Sequence, residues 1–170
     1  MKHSKVHEII ENRRSIRSYL NTPIPEEDLN EILETGLYAP SGKNRKPWRF
    51  LIIKDKDKIK EISRLTTYSR FVRNAPVLVL VYIFPSEEYP IEKDIFSVGA
   101  CVQNILLAAT EKGYGTCIIG EMTNKEQPIC ELLNKEISNG KIVCGISIGV
   151  HTKTVYPNRT AVLKNFLLSD

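Results

Sequence analysis

The sequence has no closely spaced cysteine pair, little histidine and no hydrophobic run of membrane-spanning length. Each shortage removes a class of function. Four cysteines, Cys101, Cys117, Cys130 and Cys144, include no C-x-x-C pair, so neither a zinc ribbon nor a thioredoxin-like redox motif is present. The three histidines, His3, His7 and His151, do not cluster with cysteines or carboxylates at ligand spacing, and His3 and His7, four apart, could share a helix face only at the fraying amino terminus. No metal site is expected, because such a site needs three or four converging ligands. The longest apolar stretch, APVLVLVYIF at 75–84, ends before Pro85 and is too short to span a bilayer. The first residues, MKHSKVHEIIENRR, contain no apolar run of signal-peptide type. The expectation is a cytoplasmic protein with reduced cysteines and no membrane association.

Charge of one sign is also scarce. A formal net charge of +4 suits a single phosphate-bearing ligand better than a long polyanion, which calls for a stronger basic bias. Around the basic residues at 39–50 the aromatics are only Trp48 and Phe50, whereas a nucleic-acid surface needs repeated stacking partners. No nucleic-acid partner is expected. Repeats, low-complexity tracts and long linkers are absent, and 170 residues make one domain, 1–170, large enough to bury a core.

What is there reads as alternating helices and strands. In SKVHEIIENRR, Val6, Ile9 and Ile10 share a helical face, with Ser4 placed to cap it. PEEDLNEILETGLYAP begins a helix at Pro25, with three acidic residues at the positive end of its dipole and Leu29, Ile32 and Leu33 facing inward. WRFLIIKD is a strand, KDKIKEISRLT a helix and PVLVLVYIF a strand buried on both faces. FSVGACVQNILLAATEKG is apolar around most of its circumference, which requires protein on nearly all sides or a subunit interface. GTCIIGEM is strand-like, Thr123 and Glu126 fit a capping box opening NKEQPICELLNK, and KIVCGISIGV is a last buried strand. The tail TAVLKNFLLSD is too apolar for a free end and must pack on something. The fold class that follows is α+β or α/β, a mixed sheet flanked by helices.

Three stretches can carry chemistry. RRSIR holds Arg13, Arg14 and Arg17 around Ser15. In an extended segment Arg13, Ser15 and Arg17 share one side, where a guanidinium fork matches phosphate oxygens in pairs. The alternative, a solvated helix end, is the commoner fate of such a cluster when it stands alone. APSGKNRKPW offers a turn at Pro40, Ser41 and Gly42 and an amide at Asn44. Its alternative is a basic surface loop anchored by Trp48. GYGTCIIG is glycine-rich, but it runs from a helix into a strand, the reverse of a dinucleotide fingerprint. What remains is a strand that something flat can approach closely. Cys117 within it has no histidine base in reach of the sequence and reads as a buried, inert thiol.

In this order and at these separations, RRSIRSY, APSGKNRKPWRF, GACVQNILLAATEKGYGTCIIG and YPNR resemble the FMN-dependent nitroreductase family over nearly the whole chain. The resemblance implies an α+β, intertwined homodimer with FMN in two interfacial clefts, NADH or NADPH as electron donor and a small planar acceptor. By similarity, Arg13 and Arg159 would hold the phosphate with Arg14 nearby, and Ser15 and Arg17 would meet the pyrimidine side of the ring. Arg17 would be the catalytic residue. Pro40, Ser41, Gly42 and Asn44 would come from the other subunit, and Ile118, Ile119 and Gly120 would line the ring's protein-facing side. Lys46 stands where the family more often has glutamine. A flavin-binding carrier or sensor with little turnover is the alternative function.

Overall fold

The computed structural model describes residues 4–152 and 161–168. Its elements run α1 (Lys5–Asn12), α2 (Glu26–Leu37), β1 (Trp48–Ile53), α3 (Lys56–Ser63), α4 (Ser69–Val72), β2 (Val77–Ile83), α5 (Ile91–Glu111), β3 (Tyr114–Ile119), α6 (Glu126–Leu133) and β4 (Lys141–Val150). The four strands lie in the order β1-β2-β4-β3. All three pairings are antiparallel, with Leu51 opposite Leu80, Val79 opposite Ile146 and Ile118 opposite Ile146. Among the described residues, the sheet's parallel component is one bridge between Ser15 and Thr116.

Alternation along β2 explains why every residue of that strand is buried. Val77, Val79, Val81 and Ile83 face one side, where they pack with Leu29, Ile32 and Leu33 of α2 and with Val98, Cys101, Ile105 and Ala109 of α5. Leu78, Leu80 and Tyr82 face the other, against Ile59 and Ile62 of α3, Phe71 and Val72 of α4 and Ile129 of α6. The result is three layers: helices, sheet, helices. Both sheet faces are consumed by this core, so any ligand is left to the strand ends and edges.

Local details correct several expectations. Ser4 does cap α1, accepting from the His7 N–H at 3.3 Å. Pro25 stands just before α2 rather than in it, its carbonyl accepting from the Leu29 N–H at 3.1 Å. Helix α5 begins at Ile91, five residues before Phe96, with Pro90 at its cap and Glu92 and Asp94 in its first turn. Thr123 and Glu126 form no capping box. The Thr123 hydroxyl donates to the Val143 carbonyl (2.7 Å) and the Glu126 carboxylate accepts from the Ile142 N–H (2.6 Å), so both side chains serve β4. The short helix α4 carried no periodic signal, being four residues long.

Among the described residues, several large apolar side chains stay exposed. Val6 and Ile10 of α1, Tyr38 after α2 and Phe96 of α5 are exposed, Phe96 at 81%. The tail residues Val162, Leu163, Phe166, Leu167 and Leu168 are all exposed, so among the described residues the expected packing of the tail is not seen.

A polar clamp joins the start of α2 to the end of α5 and the start of β3. Asp28 accepts from Lys112 Nζ (2.8 Å) and from the Tyr114 hydroxyl (2.5 Å). Hydrogen bonds from Lys112 and Tyr114 hold the Asp28 carboxyl below its usual range, while burial and the same hydrogen bond push the Tyr114 phenol up to about 12. A carboxyl lowered on folding contributes stability that is present above its unfolded value and lost as pH falls through the folded one. Thermal melts from pH 7 to 3 are therefore expected to show an acid-side loss of stability, beginning near the ordinary carboxylate value of about 4. That loss becomes shallower in Asp28→Asn; an identical acid limb in the variant contradicts the clamp.

Candidate functional site

The segment after α1 is extended, and backbone bonds fix its register. The Ile16 N–H donates to the Thr116 carbonyl and the Leu20 N–H to the Val150 carbonyl, both at 2.8 Å. Ile16 is 5% exposed and lies on Gly115, where a Cβ would stand 2.7 Å from the isoleucine side chain. Only glycine admits that approach. The Tyr19 hydroxyl donates to the Ile16 carbonyl (2.7 Å) and lies 2.7 Å from Ser147 Oγ. With Ile16 turned inward, alternation sends Ser15 and Arg17 outward, and both are exposed.

Arg13, Ser15 and Arg17 alternate with Arg14 and Ile16 along this segment, and the Ser15–Thr116 bridge sets it alongside β3. Burial pushes the Cys117 thiol up, and Arg17, Arg13 and Ser15 all act on it in the opposite direction. Arg14 does not join them. Its guanidinium turns back to donate to the carbonyls of Glu11 and Arg13, the solvated helix-end role that the sequence left open. Arg17 lies 5.9 Å from the centroid of the Phe71 ring.

Beyond Cys117, Ile118 is 46% exposed and Gly120 is exposed, while Ile119 is wholly buried in the core. Ile118 thus presents a side chain and Gly120 open backbone, whereas Ile119 can offer only its main chain. Glu121 fixes this strand end. Its carboxylate accepts from the Thr66 hydroxyl (2.6 Å) and from the Thr67 N–H and hydroxyl (both 2.7 Å), and these bonds lower its pKa.

Pro40, Ser41, Gly42 and Asn44 sit in a separate loop. Gly42 packs so closely on Tyr89 that a Cβ would stand 1.7 Å from the phenol oxygen. Ser41 Oγ accepts from the Lys46 N–H at 3.0 Å. Lys43, Asn44 and Lys46 have φ of 53°, 53° and 48°, a left-handed conformation that costs a lysine roughly 1–3 kcal/mol. Arg45, 5.2 Å from the Tyr89 centroid, reaches the buried Asp94 at 3.5 Å and ties the loop to α5. None of Pro40, Ser41, Gly42 and Asn44 lines the cleft that contains Arg17. Arg159 lies outside the described residues.

Sequence reasoning passed over the anchors Tyr19 and Glu121, which sit among ordinary polar residues. It also missed a cleft of about 840 Å³ beside Arg17, lined by Tyr68, Arg70, Phe71 and Arg73 among others. The arginine spacing of three in RFVRNAP was its only signal. Among the described residues, no group of three or more His, Cys, Asp or Glu side chains could hold a metal ion, and no helix is long and apolar enough to cross a membrane.

Comparison with known proteins adds to this geometry. The model of the nitroreductase family matches residues 10–68 and 63–150. A protein of Archaeoglobus fulgidus assigned as an NADH dehydrogenase/NAD(P)H nitroreductase is 33% identical over 120 residues, covering 70% of this chain and 69% of the relative. An FMN reductase [NAD(P)H] of Bacillus subtilis is 31% identical over 140 residues, covering 72% of this chain and 56% of the relative. A protein of Desulfovibrio desulfuricans assigned as a nitroreductase and solved in complex with FMN superposes with a TM-score of 0.90. It is 32% identical and covers 99% of this chain and 98% of its own.

The seat of the arginine segment can be tested by a single methyl group. Gly115→Ala drives its Cβ into Ile16, and overpacking of this kind costs about 1–3 kcal/mol, a fall of several degrees in melting temperature. An unchanged melting temperature contradicts the close approach.

Proposed function

Because the chain belongs to the nitroreductase family, we propose that it is an FMN oxidoreductase of one domain. It draws hydride from NADH or NADPH and reduces nitroaromatics, quinones or similar planar acceptors in a ping-pong cycle. The observation that carries this reading is the extended segment with Arg13, Ser15 and Arg17, bridged to β3 at Thr116, beside the exposed Ile118 and Gly120 at the end of that strand. Two guanidiniums and a hydroxyl next to a flat, partly apolar backbone suit a planar heterocycle that carries a phosphate. The donor set fits FMN.

In this reading Arg13 holds the phosphate together with Arg159. Ser15 offers its hydroxyl to the polar edge of the ring. Arg17 sets a permanent positive charge at that edge, where it stabilises negative charge gained on reduction. Ile118 and Gly120 support the ring's protein-facing side, the main chain of Ile119 lies between them, and Arg14 is left to the end of α1. Bound FMN supplies the two-electron chemistry, so no protein nucleophile is required, in keeping with the buried Cys117 thiol.

A second copy of the chain completes the site. Its Pro40, Ser41, Gly42 and Asn44 form the opposite wall, a role that suits a loop held by Tyr89 and Asp94 and absent from the lining of the Arg17 cleft. The exposed apolar faces of α1 and α5 and the exposed tail supply the surface for such a homodimer.

The reading is tested by anaerobic mixing of the flavin-loaded protein with NADH or NADPH, followed by a quinone. Bleaching and then recovery of the flavin absorbance are expected, whereas a bound flavin that neither donor reduces makes the protein a carrier or sensor. Arg17→Ala is expected to retain flavin but to slow its reduction about tenfold to a hundredfold, the value of one charge-assisted hydrogen bond. Unchanged kinetics remove Arg17 from the site. Arg13→Ala is expected to weaken FMN binding about tenfold or more and riboflavin binding far less; equal losses for both ligands remove Arg13 from the phosphate.

A further inference from the structure

Beyond Arg17, which it shares with the proposed flavin site, the 840 Å³ cleft has a basic lining that the flavin reading leaves unused. Arg17, Lys56, Arg70 and Arg73 line it, and no carboxylate does. Elsewhere on the surface Lys5, Arg64 and Lys112 are ion-paired with Glu111, Glu61 and Asp28. Among the described residues, none of the four cleft cations has a carboxylate within ion-pair distance. Lys56 is held at 2.7 Å by the amide oxygen of Asn21, a partner that orients the ammonium without cancelling its charge. Arg70 and Arg73 lie three apart around the short helix α4, a spacing that puts two guanidiniums on one face. Tyr68 and Phe71 add aromatic surface, their rings 5.7 Å apart and tilted by 46°.

Four uncompensated cations in one concavity repel each other and focus a positive field on whatever enters. A single carboxylate leaves most of that charge unanswered, while a ligand carrying several phosphates answers it. The volume lies within the range of about 300–1,000 Å³ usual for small-molecule sites. The cleft meets the proposed flavin edge at Arg17, so a molecule seated in it can reach that edge without leaving the protein surface.

We propose that this cleft receives the phosphate-bearing arm of the nicotinamide donor, with Arg70 and Arg73 binding the ribose phosphate that NADPH has and NADH lacks. The chain is then selective for NADPH. The hydride-transfer part of this inference rests on the FMN reading; the anion-binding part does not.

Calorimetric titration of adenosine 2′,5′-bisphosphate and of AMP into the protein as purified separates the two parts. The bisphosphate is expected to bind at least about tenfold more tightly than AMP, with the difference shrinking as ionic strength rises. In Arg70→Gln and Arg73→Gln, whose exposed side chains leave the core untouched, the difference is expected to fall severalfold. Equal affinities, or a preference that survives both substitutions, overturn the proposal. Flavin content and the rates of reduction by NADH and NADPH are measured on the same samples. Full flavin occupancy with equal rates from both donors overturns the cleft assignment alone. A flavin-free protein that will not take up FMN overturns the functional reading, and the calorimetry still decides the cleft.

Discussion

The seating of Ile16 on Gly115 is the contact from which the rest of the site follows. β3 is an edge strand, and an open strand edge invites unwanted pairing. Here the segment after α1 covers part of that edge through the Ser15–Thr116 bridge and the hydrogen bond from Ile16 to Thr116. Because the side-chain period of an extended chain is two, burying Ile16 leaves Ser15 and Arg17 no direction but outward. A slip of one residue would bury a guanidinium and expose the isoleucine. The core therefore sets the register of the candidate residues, with Tyr19 and Ser147 locking the far end of the segment.

The fold was largely legible because its signals are periodic. A strand buried on both faces, as β2 is, shows as an unbroken β-branched run, and α2 and α5 show as long helices with inward apolar faces. Elements governed by tertiary bonds were less legible. Thr123 and Glu126 have capping-box spacing, yet β4 runs close by and its backbone took both side chains. The start of α5 was obscured by Pro85 and Pro90, although Pro90 caps the helix rather than ending a loop. Arg14 has the same chemistry as its neighbours, and only its position at the end of α1 turns it away from them. Among candidate site residues, sequence spacing placed Arg13, Ser15 and Arg17 on a common side. It could not distinguish the exposed Ile118 from the buried Ile119, since that depends on which face of β3 the core consumes.

The proposed function divides the site between two copies of the chain. The loop at residues 40–46 has a rigid frame, with left-handed residues, a tyrosine packed on Gly42 and a buried ion pair behind it. Such strain is normally kept only where the surroundings require one geometry. The exposed apolar residues on α1, α5 and the tail point to the same conclusion from another direction, since a monomer gains nothing by holding Phe96 in water. A shared site between two copies satisfies both observations, and it leaves the basic cleft beside Arg17 open to solutes from outside.

The central claim is that the row formed by Arg13, Ser15 and Arg17 exists to hold FMN. The most direct measurement is the visible spectrum of the freshly purified protein, with the released chromophore identified after denaturation. The account predicts a flavin spectrum and FMN at close to one per chain. A colourless protein that also fails to take up added FMN would contradict it, and the arginines would then be a solvated basic surface.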